Sequence, residues 1–426
     1  MRKSIKTILG GAILVALPML LTSCEGTLDD IFGEWSRPSG NTNTNSGSDS
    51  TPAASSNYMA WNGTALAAEA IPSDAKEVTA ATEKLEGGTY IVKGDVTITR
   101  AEGLNVTADS KLILCDGAKL TVNCHIEDET GGGTLTLSIY GQENQTGKLI
   151  ITGVDTDGLW AKNIEIHGGD ISVTTTTSTM PLHAIRADND VSIYGGKVIA
   201  TGADADASNE GANGIVCGGN LTIKGEAIVK AYGGAKSGSQ SGGIGINVGG
   251  TIDITGNADV YCKGRGNHSL FAVGNIVLSA TKVEAESPVA DGGGSGIYSY
   301  PGDITISGGT VIAASGDSGH GIIATNLVIN GGTVTATSNS LNAAIRGKTS
   351  INITTGVNKV EMINLAENSD PTVAKAFNFV YTNGTITLGS YTDNTTWNGY
   401  FVSDALGYCS KLSYDGTTRT LTYNPN

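Results

Sequence analysis

The pentapeptide Ser318-Gly319-His320-Gly321-Ile322 sets a histidine between two glycines, in a chain with only five histidines but 60 glycines among its 426 residues. Such an imidazole, flanked by residues without side chains, can exchange a proton near neutral pH. To break a glycosidic bond it would need carboxylates beside it, one to protonate the leaving oxygen and one to activate water. A calcium-dependent elimination would need clustered acids for the metal, with a Lys or Arg as base. Whether His320 has such neighbours depends on the elements that position it.

Those elements repeat. Eight segments share one grammar, starting at Gly158, Ala184, Gly214, Gly245, Ser269, Gly296, Gly321 and Ala344, at intervals of 23 to 31 residues. Each opens on a small residue followed by an aliphatic one, as in Gly214-Ile-Val-Cys. An alternating strand follows, such as Asp190-Val-Ser-Ile or Asn220-Leu-Thr-Ile, then a turn and a third strand such as Lys197-Val-Ile-Ala. A unit this small cannot bury its own apolar face, so it must stack on its neighbours. The expected fold class is all-β, a parallel β-helix, right-handed by the general crossover preference.

The strand period of two assigns the faces. Leu159, Ile185, Ile215, Ile246, Leu270, Ile297, Ile322 and Ile345 should point inward, and two positions later a small residue should do so. Cys217 takes the place of alanine in that small column, and Cys262 does the same on the third strand. The column just before the first strand reads Asp157, His183, Asn213, Ile244, His268, Ser295, His320, Ala343. His320 is thus one rung of a mixed polar ladder. The outward column of the second strand reads Glu165, Ser192, Thr222, Asp253, Val277, Thr305, Val328, Asn352. Its two acids are three coils apart, about 14 Å at one strand spacing per coil. No carboxylate cluster forms there, and no catalytic residue is assigned.

The outward residues of the first strand vary most: Trp160, Arg186, Val216, Asn247, Phe271, Tyr298, Ile323, Arg346, with Tyr300 on the same face. Aromatic faces stack on sugar C–H surfaces, and Arg or Asn can bond hydroxyls or carboxylates. Trp160, Arg186, Asn247, Phe271, Tyr298, Tyr300 and Arg346 are therefore the candidate carbohydrate-binding residues. The alternatives are that long loops such as Ala203 to Ala212 and Gly233 to Gly243 fold over this face, or that these are scattered surface residues. No cofactor or metal is expected. Calcium is the one candidate, at Asp204-Ala-Asp206-Ala-Ser208-Asn209-Glu210, which has partial calcium-loop spacing but no bidentate terminal acid.

The two ends of the chain read differently. Arg2, Lys3 and Lys6 precede an apolar run from Ile8 to Leu21 that is too short to span a bilayer. Leu21-Thr22-Ser23-Cys24 then resembles the bacterial lipoprotein signal, which implies cleavage of residues 1–23 and lipidation of Cys24. Residues 24–57, poor in large apolar side chains from Ser36 onward, read as a flexible tether. Ser73 offers an N-cap for a short helix, Asp74 to Leu85, expected to cap the first coil. The β-helix with that cap should occupy 58–363. Beyond Lys359 the periodicity fades, and Phe377 to Thr387 and Lys411 to Tyr423 read as strands of a C-terminal β cap (364–426), packed by Trp397, Tyr400 and Phe401.

The net charge is −15, and loss of the three signal cations would make it about −18. Such a chain repels phosphate backbones, so nucleic acid is not an expected partner. Beyond Cys24 the five cysteines (Cys115, Cys124, Cys217, Cys262, Cys409) follow no metal-ligand spacing.

Gly87-Gly-Thr-Tyr-Ile-Val-Lys-Gly-Asp-Val-Thr-Ile-Thr, Leu112-Ile-Leu-Cys-Asp-Gly-Ala-Lys-Leu-Thr and Ser138-Ile-Tyr-Gly-Gln resemble the opening coils of bacterial surface β-helix proteins. The repeat grammar from Gly87 to Gly347 is similar to the carbohydrate-binding β-helix domains related in fold to pectate lyases. The Gly-His-Gly triplet resembles that of pectin hydrolases, where such a histidine sits beside catalytic aspartates. Some relatives bind calcium through an Asp before the Gly-Ile pair, a position where this chain keeps only Asp157. The resemblance implies a lipid-anchored envelope protein, surface-exposed on the outer membrane, whose partner is a polysaccharide or host glycan and whose only membrane contact is the anchor. A non-catalytic glycan-binding or adhesive role is the leading expectation. A structural spacer and a polysaccharide lyase or hydrolase are the alternatives.

Overall fold

The aliphatic columns form the core. Leu159, Ile185, Ile215, Ile246, Leu270, Ile297, Ile322 and Ile345 lie opposite one another on successive parallel strands, and all are fully buried. Burying each such side chain contributes roughly 1.5–3 kcal/mol. The small column packs beside them, with Ala161, Ala187, Cys217, Val248, Ala272, Ser299 and Ala324 all inside. The computed structural model describes residues 56–365, apart from 130–134, 155, 177–179, 207, 289–291 and 341, together with strand segments between 380 and 424. These residues form a parallel β-solenoid of about ten turns. The signal, Cys24 and most of the tether lie outside the described residues.

Three parallel ladders run the length of the solenoid. The second-strand column follows the order read from sequence, with Glu165, Ser192, Thr222, Asp253, Val277, Thr305, Val328 and Asn352 each paired with the next. At the entry to this strand a polar ladder joins the coils. Asp190 Oδ1 accepts from Asn220 N (2.7 Å), Asn220 Oδ1 from Thr251 N (3.0 Å), and Asn275 Oδ1 from Asp303 N (2.9 Å). Asp303 Oδ1 accepts in turn from Asn326 N at 2.9 Å. Short Asn and Asp side chains suit this place because they reach one strand spacing along the axis, satisfying turn amides that no strand partners.

The N-terminal helix is not formed. Residues 74–85 are turns and short strands, with Lys76–Glu77 parallel to Tyr90–Ile91 and Lys84 already on the solenoid ladder. Among the described residues there is no helix at all. The Ser73 N-cap signal is overridden because extended backbone here continues a ladder that isolated helix propensity cannot match.

Instead, the N-terminal segment lies against the side of the solenoid. Asn57–Trp61 and Leu66–Ala70 form an antiparallel hairpin. Tyr140, His167 and Tyr194 occupy one position on three successive coils, and the hairpin's aromatics complete their stack. Tyr58 meets Tyr140 edge-on at 4.8 Å, Tyr140 and His167 stack at 4.4 Å, and Trp61 lies parallel to Tyr194 at 5.1 Å. Trp61 N donates to His167 Nδ1 (2.9 Å), and Gln142 Nε2 donates to Asn57 O (3.0 Å).

At the other end the coil pattern persists past the expected boundary. Val380–Thr382 and Thr385–Leu388 pair in parallel with Ile345–Ile353, adding a further rung. Leu412–Asp415 and Thr420–Tyr423 form a hairpin whose second strand runs antiparallel to Val360–Ile363. Leu421 and Tyr423 are buried there. Trp397, Tyr400 and Phe401 lie outside the described residues.

Candidate functional site

His320 is a buried rung, with both ring nitrogens engaged. Side chains in its column accept backbone amides from the next coil. Asp157 Oδ1 accepts from His183 N (2.7 Å), His183 Nδ1 from Asn213 N (3.0 Å), and Asn213 Oδ1 from Ile244 N (2.9 Å). Further along, His268 Nδ1 accepts from Ser295 N (2.9 Å), and Ser295 Oγ from His320 N (3.1 Å). His320 inverts the pattern. Its Nδ1 faces the Ala343 carbonyl at 2.8 Å, so Nδ1 carries the proton and donates. Its Nε2 is then the acceptor toward Arg346 Nη1 at 3.4 Å. Burial, with the Arg346 charge, pushes the His320 pKa down to about 4, against the Ala343 bond. Burial alone lowers His268 to about 4, and burial also lowers His183 despite Asp157 beside it.

The glycines of the triplet answer to packing. A Cβ on Gly319 would sit 1.9 Å from the Gly294 carbonyl oxygen, and one on Gly321 would sit 2.8 Å from the Ala344 oxygen. Among the described residues no cluster of three or more His, Cys, Asp or Glu side chains could hold a metal. Glu165 bonds Ser138 Oγ (2.9 Å) and lies 3.6 Å from His167, while Asp253 pairs with Lys224 at 2.8 Å.

The variable face of the first strand carries two separate groups. At one end Arg186 lies over the Trp160 ring, 4.7 Å from its centroid, and is itself held by Asp157 (3.1 Å) and Asp188 (3.3 Å). The Trp160 indole N–H is buried and meets no acceptor. One face of this indole is therefore occupied. Val216 and Asn247 separate it from the second group, which begins at Phe271, four rungs or about 19 Å from Trp160.

That second group is an aromatic cluster. His268 meets Tyr298 edge-on at 4.6 Å and Phe271 at 5.7 Å, and Phe271 lies 5.4 Å from Tyr298. Tyr298 and Tyr300 present nearly parallel rings (18°) at 6.4 Å. Tyr300 is 48 % exposed, and neighbouring Val273 is 44 % exposed. Lys348 Nζ lies 3.0 Å from the Tyr300 ring centroid. Arg346 sits on the same face, two rungs beyond Tyr298 across Ile323. Of the seven candidate residues, the structure joins Phe271, Tyr298 and Tyr300 directly, with Asn247 and Arg346 flanking them; Trp160 and Arg186 stand apart.

Two members of the cluster were not among the candidates. His268 could have been found, since it precedes Phe271 by three residues in a column already aligned. Lys348 gives no repeat signal because, within the continuous strand Ile345–Ile353, it falls between the first-strand and second-strand columns that the repeats align.

Most of this face is half-buried, with Tyr300 exposed and Ile323 buried, and the long loops are bonded among themselves. They stack on one another along the axis, with Ala205 N bonded to Ala235 O (2.7 Å), Gly211 N to Ser241 O (2.8 Å) and Arg265 N to Gly243 O (3.0 Å). Within them Asp206 Oδ1 accepts from Ser208 N (2.6 Å) and Asn209 N (2.7 Å), which lowers its pKa, while Asp204 Oδ1 accepts from Ala235 N (2.6 Å). These two carboxylates already serve the loop backbone. Asp157 is likewise committed, to His183 N and Arg186. A separate shallow cleft of about 310 Å³, lined by Thr89, Asp109, Lys111, Thr136 and Ser138, opens near the N-terminal hairpin.

The fold and this face define a parallel β-solenoid with an open aromatic patch. Comparison of the chain with protein-family models, curated proteins and solved structures gives no significant match.

Proposed function

We propose that the protein is a non-catalytic glycan-binding or adhesive protein of the bacterial envelope, anchored by a lipid on Cys24 and displayed at the cell surface. In this reading the solenoid is right-handed, residues 24–57 tether it, and the C-terminal strands close its far end against edge pairing. The observation that carries the binding role is the pair of half-buried Tyr298 and exposed Tyr300 on a rigid ladder, backed by Phe271 and His268. Flat rings held on a scaffold lose little entropy on contact, so they suit the weakly polar faces of sugar rings. Asn247 and Arg346 flank the rings and can bond hydroxyls. Trp160 and Arg186 form a second, more distant contact for a long polysaccharide.

A glycan array probed with wild-type protein and with Tyr298→Ala/Tyr300→Ala, each with and without calcium, tests the reading. A defined set of ligands lost in the variant supports it. Ligands retained by the variant would move the site elsewhere, and release of shortened products would favour the lyase or hydrolase.

A further inference from the structure

The N-terminal hairpin is a detour in the chain. Ile71 N donates to Ser56 O at 2.9 Å, so the chain leaves the hairpin where it entered, and the fifteen residues 57–71 are folded away between two adjacent points. A two-stranded hairpin is marginal by itself. This one rests on the Tyr140–His167–Tyr194 row, on Gln142, and on Leu66, whose Cδ1 lies 2.6 Å from where a Cβ on Gly195 would stand. His167 is the centre of that row and is buried. Trp61 N donates to its Nδ1 at 2.9 Å, so Nδ1 carries no proton and Nε2 does. Nε2 is buried without a hydrogen-bond partner, and Glu165 Oε2 stands 3.6 Å from it. Tyr140 and Tyr194 face the ring from the coils on either side. The hairpin brings Tyr58 and Glu69, whose side chains bond each other, and Lys111 Nζ lies 3.3 Å from the Tyr58 hydroxyl.

A second proton on this imidazole has one place to go, Nδ1. There it meets the Trp61 N–H donor to donor, and the bond that fixes the hairpin's first strand is lost. The same proton turns the approach of Nε2 to Glu165 into an ion pair, so the charged ring is held by its own strand while the Trp61 amide repels it. The docked state needs a neutral ring, so it is favoured near neutral pH and lost as pH falls. We infer that protonation of His167 undocks the hairpin, which makes residues 57–71 an acid-released strap. At up to about 3.3 Å per residue, release lets Ser56 and Ile71 separate by roughly 50 Å. With the proposed lipid anchor this lengthens the tether beneath the solenoid. That consequence rests on the anchor; the undocking does not.

The test compares amide hydrogen exchange of the full chain at pH 7.5 and pH 5, corrected for the intrinsic pH dependence of exchange. Residues 57–70 should lose at least about tenfold in protection on acidification, the scale of one buried hydrogen bond. The strand Ile252–Lys263 should keep most of its own. His167→Gln, whose side-chain oxygen can still accept from Trp61 N, should hold the hairpin's protection nearly equal at the two pH values. Glu165→Gln keeps the ring and its bond but removes the counter-charge, so the hairpin should be better protected at pH 5 than in wild type. A wild-type hairpin equally protected at both pH values, the same acid loss in His167→Gln, or a Glu165→Gln hairpin that releases as wild type does overturns the inference. So does a loss of equal size over Ile252–Lys263, which would assign the effect to the His268 and His320 rungs.

Discussion

Acid should loosen the solenoid well before its carboxylates titrate, through the buried histidine ladder. His268 and His320 each have a pKa near 4 in the folded protein, against 6.5 for an unperturbed imidazole. The unfolded chain therefore takes up protons first as pH falls, so stability is lost between about pH 6.5 and pH 4. At pH 5 the unfolded form of each histidine is almost fully charged and the folded form is not, a difference of about 2 kcal/mol per residue. His183, also lowered, adds in the same direction. The carboxyl groups of Glu165, Asp116 and Asp206 lie below their usual range, so their loss of stabilisation falls at lower pH. The assay is the denaturant midpoint at pH 7.5 and pH 5 for wild type and for His268→Asn/His320→Asn. Asn213 already bonds the next coil's amide, so asparagine is the fitting replacement. The variant should lose about 1–2 kcal/mol at pH 7.5 for each buried ring removed, yet lose much less than wild type on acidification. Equal acid sensitivity in the two proteins would refute the role assigned to these rings.

Three further outcomes follow from the packing. Ile322→Asp puts an unpaired carboxylate into a fully buried column and should cost more than about 4 kcal/mol, with hydrogen exchange accelerated on the adjoining coils; a midpoint near wild type would contradict the face assignment. Trp61→Ala removes the ring that closes the Tyr140–His167–Tyr194 stack and should cost about 1–2 kcal/mol, with exchange rising over residues 57–70; protection unchanged there would mean the hairpin is held by other contacts. Burial raises the thiol pKa of Cys217 to about 12 and that of Cys262 further still, so both should resist an aromatic disulfide reagent until the chain is unfolded, and rapid native labelling would count against an intact core.

The solenoid was legible because its signal repeats: each inward aliphatic recurs at a place the strand period defines, and eight copies outweigh local ambiguity. The same redundancy placed Glu165 and Asp253 on one column and kept them apart. Single-copy features were harder. Ser73 mimics a helix cap, but nothing local reports that Lys84 and Leu85 will join a ladder. Tyr58 and Trp61 dock on residues more than eighty positions away, although Tyr140, His167 and Tyr194 share one repeat position and announce a stack awaiting partners. His320 is a rung of the polar ladder as its column implies, and it is buried between Ser295 Oγ on one coil and the Ala343 carbonyl on the next, a depth that the column alone does not report. Lys348 was missed since its significance comes from reaching back across two coils to Tyr300, a distance no linear pattern encodes.

The structure of the protein bound to a glycan selected on the array tests the central claim most directly. The account predicts an intact sugar ring against Tyr300, near Tyr298, with polar groups reaching toward Arg346 and Lys348 and the solenoid backbone unmoved. A ligand lodged in the cleft beside Lys111 and Ser138, or one cleaved in the crystal, would contradict it.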